Sequence, residues 1–432
     1  MGLSNAAYSA AAIPELGSVY NPAKQYEIAK QLIDQPGSGD NFNAGVKWLK
    51  LAAAQQFPEA LYQLGFYHEF GVDGIQQDMP RAVSLYEKAA EQHHLAAQFN
   101  LSALLLREDS PVRDLQKGRY WLEQAAEQED PKSQYSLAML YEENYFQEGD
   151  EASRFAQAMN WLERSARNGY KEAQYTLGTY YLGGERLPHD NSRAFHWFEK
   201  AAQQGDAPSQ YNIALMYELG EGVEADTEQA VYWYKQAADQ REPGARFNLG
   251  RKYLLGQGLQ KKVDEGLDMI IQSAEAGNPA AQTLLANHFL IGQYLEQNYA
   301  RAYQLYLQAA ESGYPEAQYR LSVMFAKGQG VKQDNKQSVH WISKAARLHH
   351  PMAQYGLGAY LANGVGIEKD LFQAAYWLSL AAMQGQKHAL ESRDSVLKML
   401  SSTELDNLNE QMRMVDNSKP LPARLPETDE QP

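Results

Sequence analysis

The sequence predicts an all-α chain, a solenoid of about nine antiparallel helix pairs with helical caps at both ends, from three periodic observations. The first is a column of small residues at Ala60, Ala97, Ser133, Ala173, Ser209, Ala245, Ala281, Ala317 and Ala353, spaced by 37, 36, 40 and then 36 residues throughout. The second is a tryptophan column: Trp48, Trp121, Trp161, Trp197, Trp233, Trp341 and Trp377 are all seven in the chain, with Leu85, Met269 and Leu305 in the gaps. The third is the pair of small residues near the end of each unit, from Ala89-Ala90 to Ala381-Ala382.

Each unit reads as two helices. The first opens near a proline such as Pro58, Pro131, Pro279 or Pro351, tolerated in a first turn because its missing N–H has no intrahelical partner there. It carries a position that stays small, Gly65, Gly178, Gly250 and Gly358 or else Ser or Ala, as close helix contact demands. The glutamines at 98, 134, 174, 210, 282, 318 and 354 recur beside the small column and are expected to bridge adjacent repeats by hydrogen bonds, with a binding ladder as the alternative. The second helix opens after Asp78, Asp114, Asp190, Asp226, Asp334 or Asp370, whose carboxylates suit an N-cap. In that helix Ala194, Trp197 and Ala201 share one face, which predicts the tryptophan column as core. Many second helices end on a glycine, as at Gly169, Gly205 and Gly313, where left-handed backbone is easiest.

The pattern AQYxLGxxYxxGxGVxxD followed by AxxWxxxAAxxG, which SQYNIALMYELGEGVEADTEQAVYWYKQAADQ from Ser209 follows almost throughout, resembles the Sel1-like repeat, a relative of the tetratricopeptide repeat. The resemblance implies a right-handed superhelical solenoid whose concave groove binds proteins or peptides. It also implies roles as adaptors, host-interaction factors, regulators, quality-control scaffolds or immunity proteins.

The chain divides into an N-terminal segment 1–21, expected to be flexible, and a degenerate or capping repeat at 22–57 that keeps Trp48 and Ala52-Ala53. Nine repeats follow at 58–386, then capping helices at 387–417, where Ser402 or Thr403 suits an N-cap, and a proline-bearing tail at 418–432 expected to be disordered. With 39 Lys and Arg against 54 Asp and Glu, the net charge is −15, which disfavours nucleic acid and anionic bilayers as partners. No apolar run is long enough to cross a membrane, and the chain has no cysteine, so neither disulfides nor thiolate metal sites enter. The first residues lack a charged and an apolar signal region. That predicts a cytoplasmic protein if the sequence is complete, and a periplasmic or secreted one if a signal peptide has been removed.

Chemistry leaves few marks. The glycine pairs at 183/184, 220/222, 256/258, 328/330 and 364/366 follow no strand and precede no GK[ST], so they read as interhelical turns rather than phosphate loops. Ser395 and Lys398 match S-x-x-K without its companion motifs. His93-His94 and His349-His350 stand at turns between units, with His93 and His349 in the place of the usual glycine, so they read as turn residues rather than metal ligands. No catalytic residue, metal or cofactor is expected.

Binding residues are sought where the pattern varies. The position before the tryptophan column holds Tyr120, His196, Tyr232, His340 and Tyr376 among others, and polar aromatics are favoured contact residues. Tyr145 and Phe146 lie in a four-residue insertion of the third unit and are further candidates. The function expected is a non-enzymatic scaffold that binds a partner protein or peptide, as a partner-sequestering (immunity-type) or regulatory protein. A multi-component adaptor is the alternative, and a peptidoglycan- or sugar-binding protein or enzyme the more distant one; neither the partner nor the oligomeric state can be read from the sequence.

Overall fold

A computed structural model describes residues 20–34, 39–72, 74–147 and 149–417. The segment expected to be flexible, apart from its last two residues, and the tail 418–432 lie outside the described residues. The described chain is all-helical, with 22 helices and no strand. Ten first-and-second-helix repeats run α1 (Pro22–Ile33) and α2 (Gly39–Ala54), α3 (Pro58–Phe70) and α4 (Met79–Ala90), α5 (Leu95–Leu106) and α6 (Leu115–Glu127), α7 (Pro131–Glu142) and α8 (Glu151–Arg167), α9 (Lys171–Gly183) and α10 (Asn191–Gln203). They continue with α11 (Ala207–Leu219) and α12 (Thr227–Asp239), α13 (Pro243–Leu255) and α14 (Val263–Glu275), α15 (Pro279–Ile291) and α16 (Tyr299–Glu311), α17 (Pro315–Lys327) and α18 (Asn335–Arg347), α19 (Pro351–Asn363) and α20 (Leu371–Met383). Two further helices, α21 (Ala389–Leu397) and α22 (Ser402–Asn417), follow the last repeat. The helices fall into two compact units, Met1–Met216 with Gly220–Glu224, and Tyr217–Leu219 with Ala225–Pro432.

Local punctuation places the helices. Asp78, Asp114, Asp190, Asp226, Asp334 and Asp370 each accept a hydrogen bond from a backbone N–H in the first turn of the helix they precede, satisfying groups that have no intrahelical acceptor. The turn between repeats needs a left-handed residue. Gly169 and Gly313 supply it at φ 88° and 92°, whereas His93 and His349 take the same place at φ 60° and 62°. At the start of α22 the cap is Ser401, one residue earlier than the sequence suggests: its N–H donates to Glu404 Oε2 at 2.8 Å and its Oγ accepts from the Glu404 N–H at 3.3 Å, a reciprocal capping box.

The glycine pairs are turn and contact residues. A Cβ on Gly222 would lie 2.2 Å from the Asn191 carbonyl oxygen, and one on Gly366 would lie 2.4 Å from that of Asn335. The turn of one repeat therefore closes on the start of the preceding repeat's second helix.

The glutamine column bridges repeats. The side-chain amides of Gln98, Gln134, Gln174 and Gln354 are buried and donate to the carbonyls of Ala90, Ala126, Ala166 and Ala346, eight residues back at the end of the preceding repeat, at 3.1, 2.9, 2.9 and 3.2 Å. Where the glutamine is replaced, Arg246 Nε makes the same bond to Ala238 at 3.2 Å. The carbonyls at a helix C-terminus lack intrahelical donors, so each glutamine caps its neighbour.

The tryptophans are less deeply set than the sequence suggests. Trp48, Trp161 and Trp341 are buried, but Trp121, Trp197, Trp233 and Trp377 are partly exposed. The fully enclosed position is the next residue, Tyr86, Phe198, Tyr234, Ile270 and Tyr306 among them, each at 0% exposure. Successive helical residues are turned by about 100°, so the residue after each tryptophan faces its own first helix. There the small column admits it: a Cβ on Gly178 would meet the Phe198 ring at 2.6 Å.

Candidate partner-binding site

The first helices bury one face and leave the opposite one partly exposed. In α9, Ala173, Gln174, Leu177, Gly178 and Tyr181 are buried, while Glu172, Tyr175, Thr176 and Thr179 stay partly exposed. At about 100° per residue these four share one side of the helix, opposite the side buried through Ala173, Leu177 and Tyr181. The same register repeats an aromatic: Tyr62, Phe99, Tyr135, Tyr211, Phe247, Tyr319 and Tyr355 are all partly exposed, and Thr283 is the exception.

These rings join successive repeats. Tyr62 stacks on His94 with centroids 4.9 Å apart, Tyr319 stacks on His350 at 4.9 Å, and Tyr135 meets Tyr170 at 5.3 Å. In each case the second ring belongs to the N-cap residue of the next first helix. His94 and His350 are thus capping residues as well as stacking ones, their Nδ1 atoms accepting from the N–H of Ala97 at 3.1 Å and Ala353 at 3.2 Å.

Three carboxylates on the first helices, those of Glu69, Glu142 and Glu218, are spoken for by tyrosines and a cation. Tyr86 donates to Glu69 at 2.8 Å, Tyr180 donates to Glu142, and Tyr234 donates to Glu218 at 2.6 Å while Lys252 Nζ pairs with the other Glu218 oxygen at 2.6 Å. Burial, reinforced by the Glu69 carboxylate, raises the Tyr86 phenol well above its ordinary range, and the same causes act on Tyr180 through Glu142. Such phenols are hydrogen-bond donors at any physiological pH and serve as fixed polar contacts, not as bases.

The candidates read from the sequence fall into two groups. Tyr120 and Tyr232 are about half exposed, at 52% and 51%, His196 and His340 are exposed and Tyr376 partly so. Each sets its ring edge-on to the tryptophan that follows, with centroids 4.9 to 5.4 Å apart. Cations flank several of the tryptophans, Lys200 at 5.0 Å from Trp197 and Lys344 at 4.5 Å from Trp341. The column is therefore an aromatic edge on the second helices, separate from the stripe on the first. Tyr145 and Phe146 pack inward instead: the Tyr145 hydroxyl donates to the Leu106 carbonyl, and the Phe146 ring meets Tyr141 at 5.5 Å and Arg119 at 5.2 Å. The insertion ties neighbouring repeats together.

The first-helix stripe is the element that sequence reasoning missed. Its signal was the Tyr of the A-Q-Y element itself, which stands two residues, or about 200°, from the buried small residue and so cannot share its face.

Among the described residues there is no group of three or more His, Asp or Glu side chains placed to hold a metal ion, and no helix is long and apolar enough to cross a membrane. A cleft of about 600 Å³ opens at the turn after α17, lined by Phe325, Lys332, Gln333, Asp334, Asn335, Lys336 and Gly366. Asp334 there is committed to capping α18.

Comparison with known proteins agrees with this architecture. A protective antigen of uropathogenic Escherichia coli, whose crystal structure displays an SLR fold, superposes with a TM-score of 0.61 at 25% identity over 96% of this chain and 98% of that one. A Sel1 repeat protein from Oxalobacter formigenes gives 0.56 at 26% identity over 79% and 93%. The chitin synthase regulator SKT5 of Saccharomyces cerevisiae is 30% identical over 149 residues, 33% of this chain and 21% of that protein. The chain spans about a third or less of the length of the curated relatives it matches. Sel1 repeat proteins mediate protein–protein interaction and are generally non-enzymatic scaffolds. The Sel1 repeat profile matches ten consecutive segments, 34–57, 58–94, 95–130, 131–170, 171–206, 207–241, 243–278, 279–314, 315–350 and 351–386, and with its helix pairs, caps and inter-repeat glutamines in the same register, the chain belongs to the Sel1 repeat family.

Proposed function

We propose that this chain is a non-enzymatic scaffold that holds a partner protein or peptide along its first helices. The observation that carries the reading is the stripe through Tyr62, Phe99, Tyr135, Tyr175 and their counterparts, partly exposed in repeat after repeat on the first helices. Half-buried aromatic rings lose little rotamer freedom on binding and offer both apolar area and a hydroxyl, which is why such residues dominate interface energetics. The exposed edge of Tyr120, His196, Tyr232, His340 and Tyr376 supplies a second set of contacts.

The finer role is partner-sequestering or regulatory. Support for regulation comes from the relatives named as chitin synthase regulators, whose names describe control of another protein.

Affinity capture from cell lysate at physiological salt, with mass spectrometry, tests the reading. A single stoichiometric partner is expected with the wild-type chain. Thr179→Arg with Asn212→Arg places bulky charge on the first-helix stripe and is expected to abolish capture, and Tyr120→Ala, Tyr232→Ala and Tyr376→Ala together are expected to weaken it. Circular dichroism confirms that each variant is folded. Folded variants that capture the partner as well as wild type would remove their surface from the site.

A further inference from the structure

We propose that the repeat beginning at Pro58 carries a binding site for the guanidinium of an arginine side chain presented by the partner, built from Glu59, Tyr62 and His94. The proposal rests on the partner-binding reading above and gives the chemistry of one contact.

The chain contains the same constellation twice, and the two copies differ in one residue. In the copy on α17, His350 stacks on Tyr319 and spends Nδ1 as acceptor from the Ala353 N–H, so its proton sits on Nε2, 2.7 Å from Glu316 Oε2. The remaining oxygen, Glu316 Oε1, accepts from Arg320 Nε at 2.6 Å. Both carboxylate oxygens are satisfied, one of them by an arginine four residues on.

In the copy on α3, His94 stacks on Tyr62 with an interplanar angle of 27°, close to the 22° of the other pair, and again accepts the capping N–H through Nδ1. Glu59 stands at the register of Glu316. The place of Arg320, however, is taken by Gln63, which carries no charge. Glu59 Oε2 is closed off from solvent and has no hydrogen-bond partner. A carboxylate oxygen withdrawn from water without a donor is a strained arrangement; in the α17 copy His350 serves one oxygen and Arg320 the other, and the bond to the second oxygen has no counterpart at Glu59, where Gln63 stands in place of the arginine.

The surroundings suit a flat cation. The Tyr26 phenol is raised by burial and then by the Glu59 charge, and the Tyr26 ring lies 5.6 Å from that of Phe57. Aromatic walls around a carboxylate favour guanidinium over ammonium, because the planar fork offers paired N–H donors and stacks on ring faces. The net charge of −15 draws a basic partner toward the chain.

The experiment uses the full chain with 13C-labelled histidine and follows the His94 ring signals by NMR, assigned through a His94→Gln sample. The probe is N-acetyl-arginine methylamide, with the citrulline and lysine analogues as controls. A saturable shift in the millimolar range is expected with arginine, at least tenfold weaker with neutral citrulline. Glu59→Gln is expected to abolish it. Gln63→Arg installs the cation within the chain, as at Arg320, and is expected to abolish the probe response while moving the His94 signals by itself. Arg320→Gln is expected to open a second responsive site at His350.

An equal response to citrulline, or a response that survives in folded Glu59→Gln, overturns the proposal, and equal saturation by the lysine analogue overturns the guanidinium assignment. Lysate capture separates this site from the wider reading. A partner captured equally by wild type and Glu59→Gln sinks the arginine site alone, whereas an arginine-responsive His94 in a chain that captures nothing sinks the partner reading and leaves the site standing.

Discussion

Gln384 donates its side-chain amide to Oε1 of Gln354 at 2.6 Å, tying the C-cap of α20 to the first helix of the same repeat. The same bond joins Gln128 to Gln98 at 2.6 Å and Gln204 to Gln174 at 2.8 Å, and Asn168 serves Gln134 at 3.1 Å. Each of these four glutamines thus reaches back to the preceding repeat through its amide and is held in place through its oxygen.

The repeat of α17 and α18 lacks that second bond. Leu348 stands where Gln384 stands in the next repeat, about half exposed, and Gln318 Oε1 is buried without a partner. Leu348→Gln is expected to supply the donor and to stabilise the chain by about 1 kcal/mol, the usual net value of a hydrogen bond to an otherwise orphaned buried group. Gln384→Leu is expected to cost a similar amount. Thermal unfolding of both variants checks the pair, and a Leu348→Gln chain no more stable than wild type would show that Gln318 needs no donor.

The depth of the second-helix residues makes a sharper prediction. Phe198 is fully enclosed against Gly178 and Tyr175, whereas Trp197 packs against the preceding repeat with one side open. Phe198→Ala is expected to cost about 3–5 kcal/mol, the range for deleting a buried aromatic, and Trp197→Ala clearly less. Denaturant unfolding of the two single variants measures the order. Equal losses would return the tryptophan column to the core.

What the sequence made legible is what local chemistry decides. Asp190 caps α10 by bonding the Arg193 N–H at 3.0 Å, His349 takes the left-handed turn that glycine takes elsewhere, and Gln174 bridges repeats, all from residue types and spacing. The relative depth of Trp197 and Phe198 depends on how a neighbouring helix pair covers the second helix, which spacing along one chain does not carry. The stripe through Tyr175 was hidden for the same reason, since a recurring aromatic is equally compatible with core until the enclosing helices are in place. The contrast between Gln63 and Arg320 is visible in the sequence, but it acquires meaning only when Glu59 and Glu316 are seen beside stacked histidines.

The Glu316 cluster predicts a response to acid. Burial alone would raise this carboxyl, but the hydrogen bond from His350 and the charge and hydrogen bond of Arg320 outweigh it and hold the group at about 2 instead of 4.5. A carboxylate whose pKa is lower in the folded than in the unfolded chain binds protons more readily once unfolded. Its stabilising contribution is therefore complete above the unfolded value and is lost as pH falls through the folded one. The window lies between about pH 4.5 and pH 2. Glu316→Gln removes the titrating group while keeping the shape, so its unfolding midpoint is expected to fall less steeply with acid across that window than that of wild type, although the variant is less stable at neutral pH. Unfolding midpoints measured at half-unit pH steps decide the matter: parallel curves for the two chains would mean that Glu316 titrates alike folded and unfolded, and that its bonds to His350 and Arg320 contribute nothing to stability.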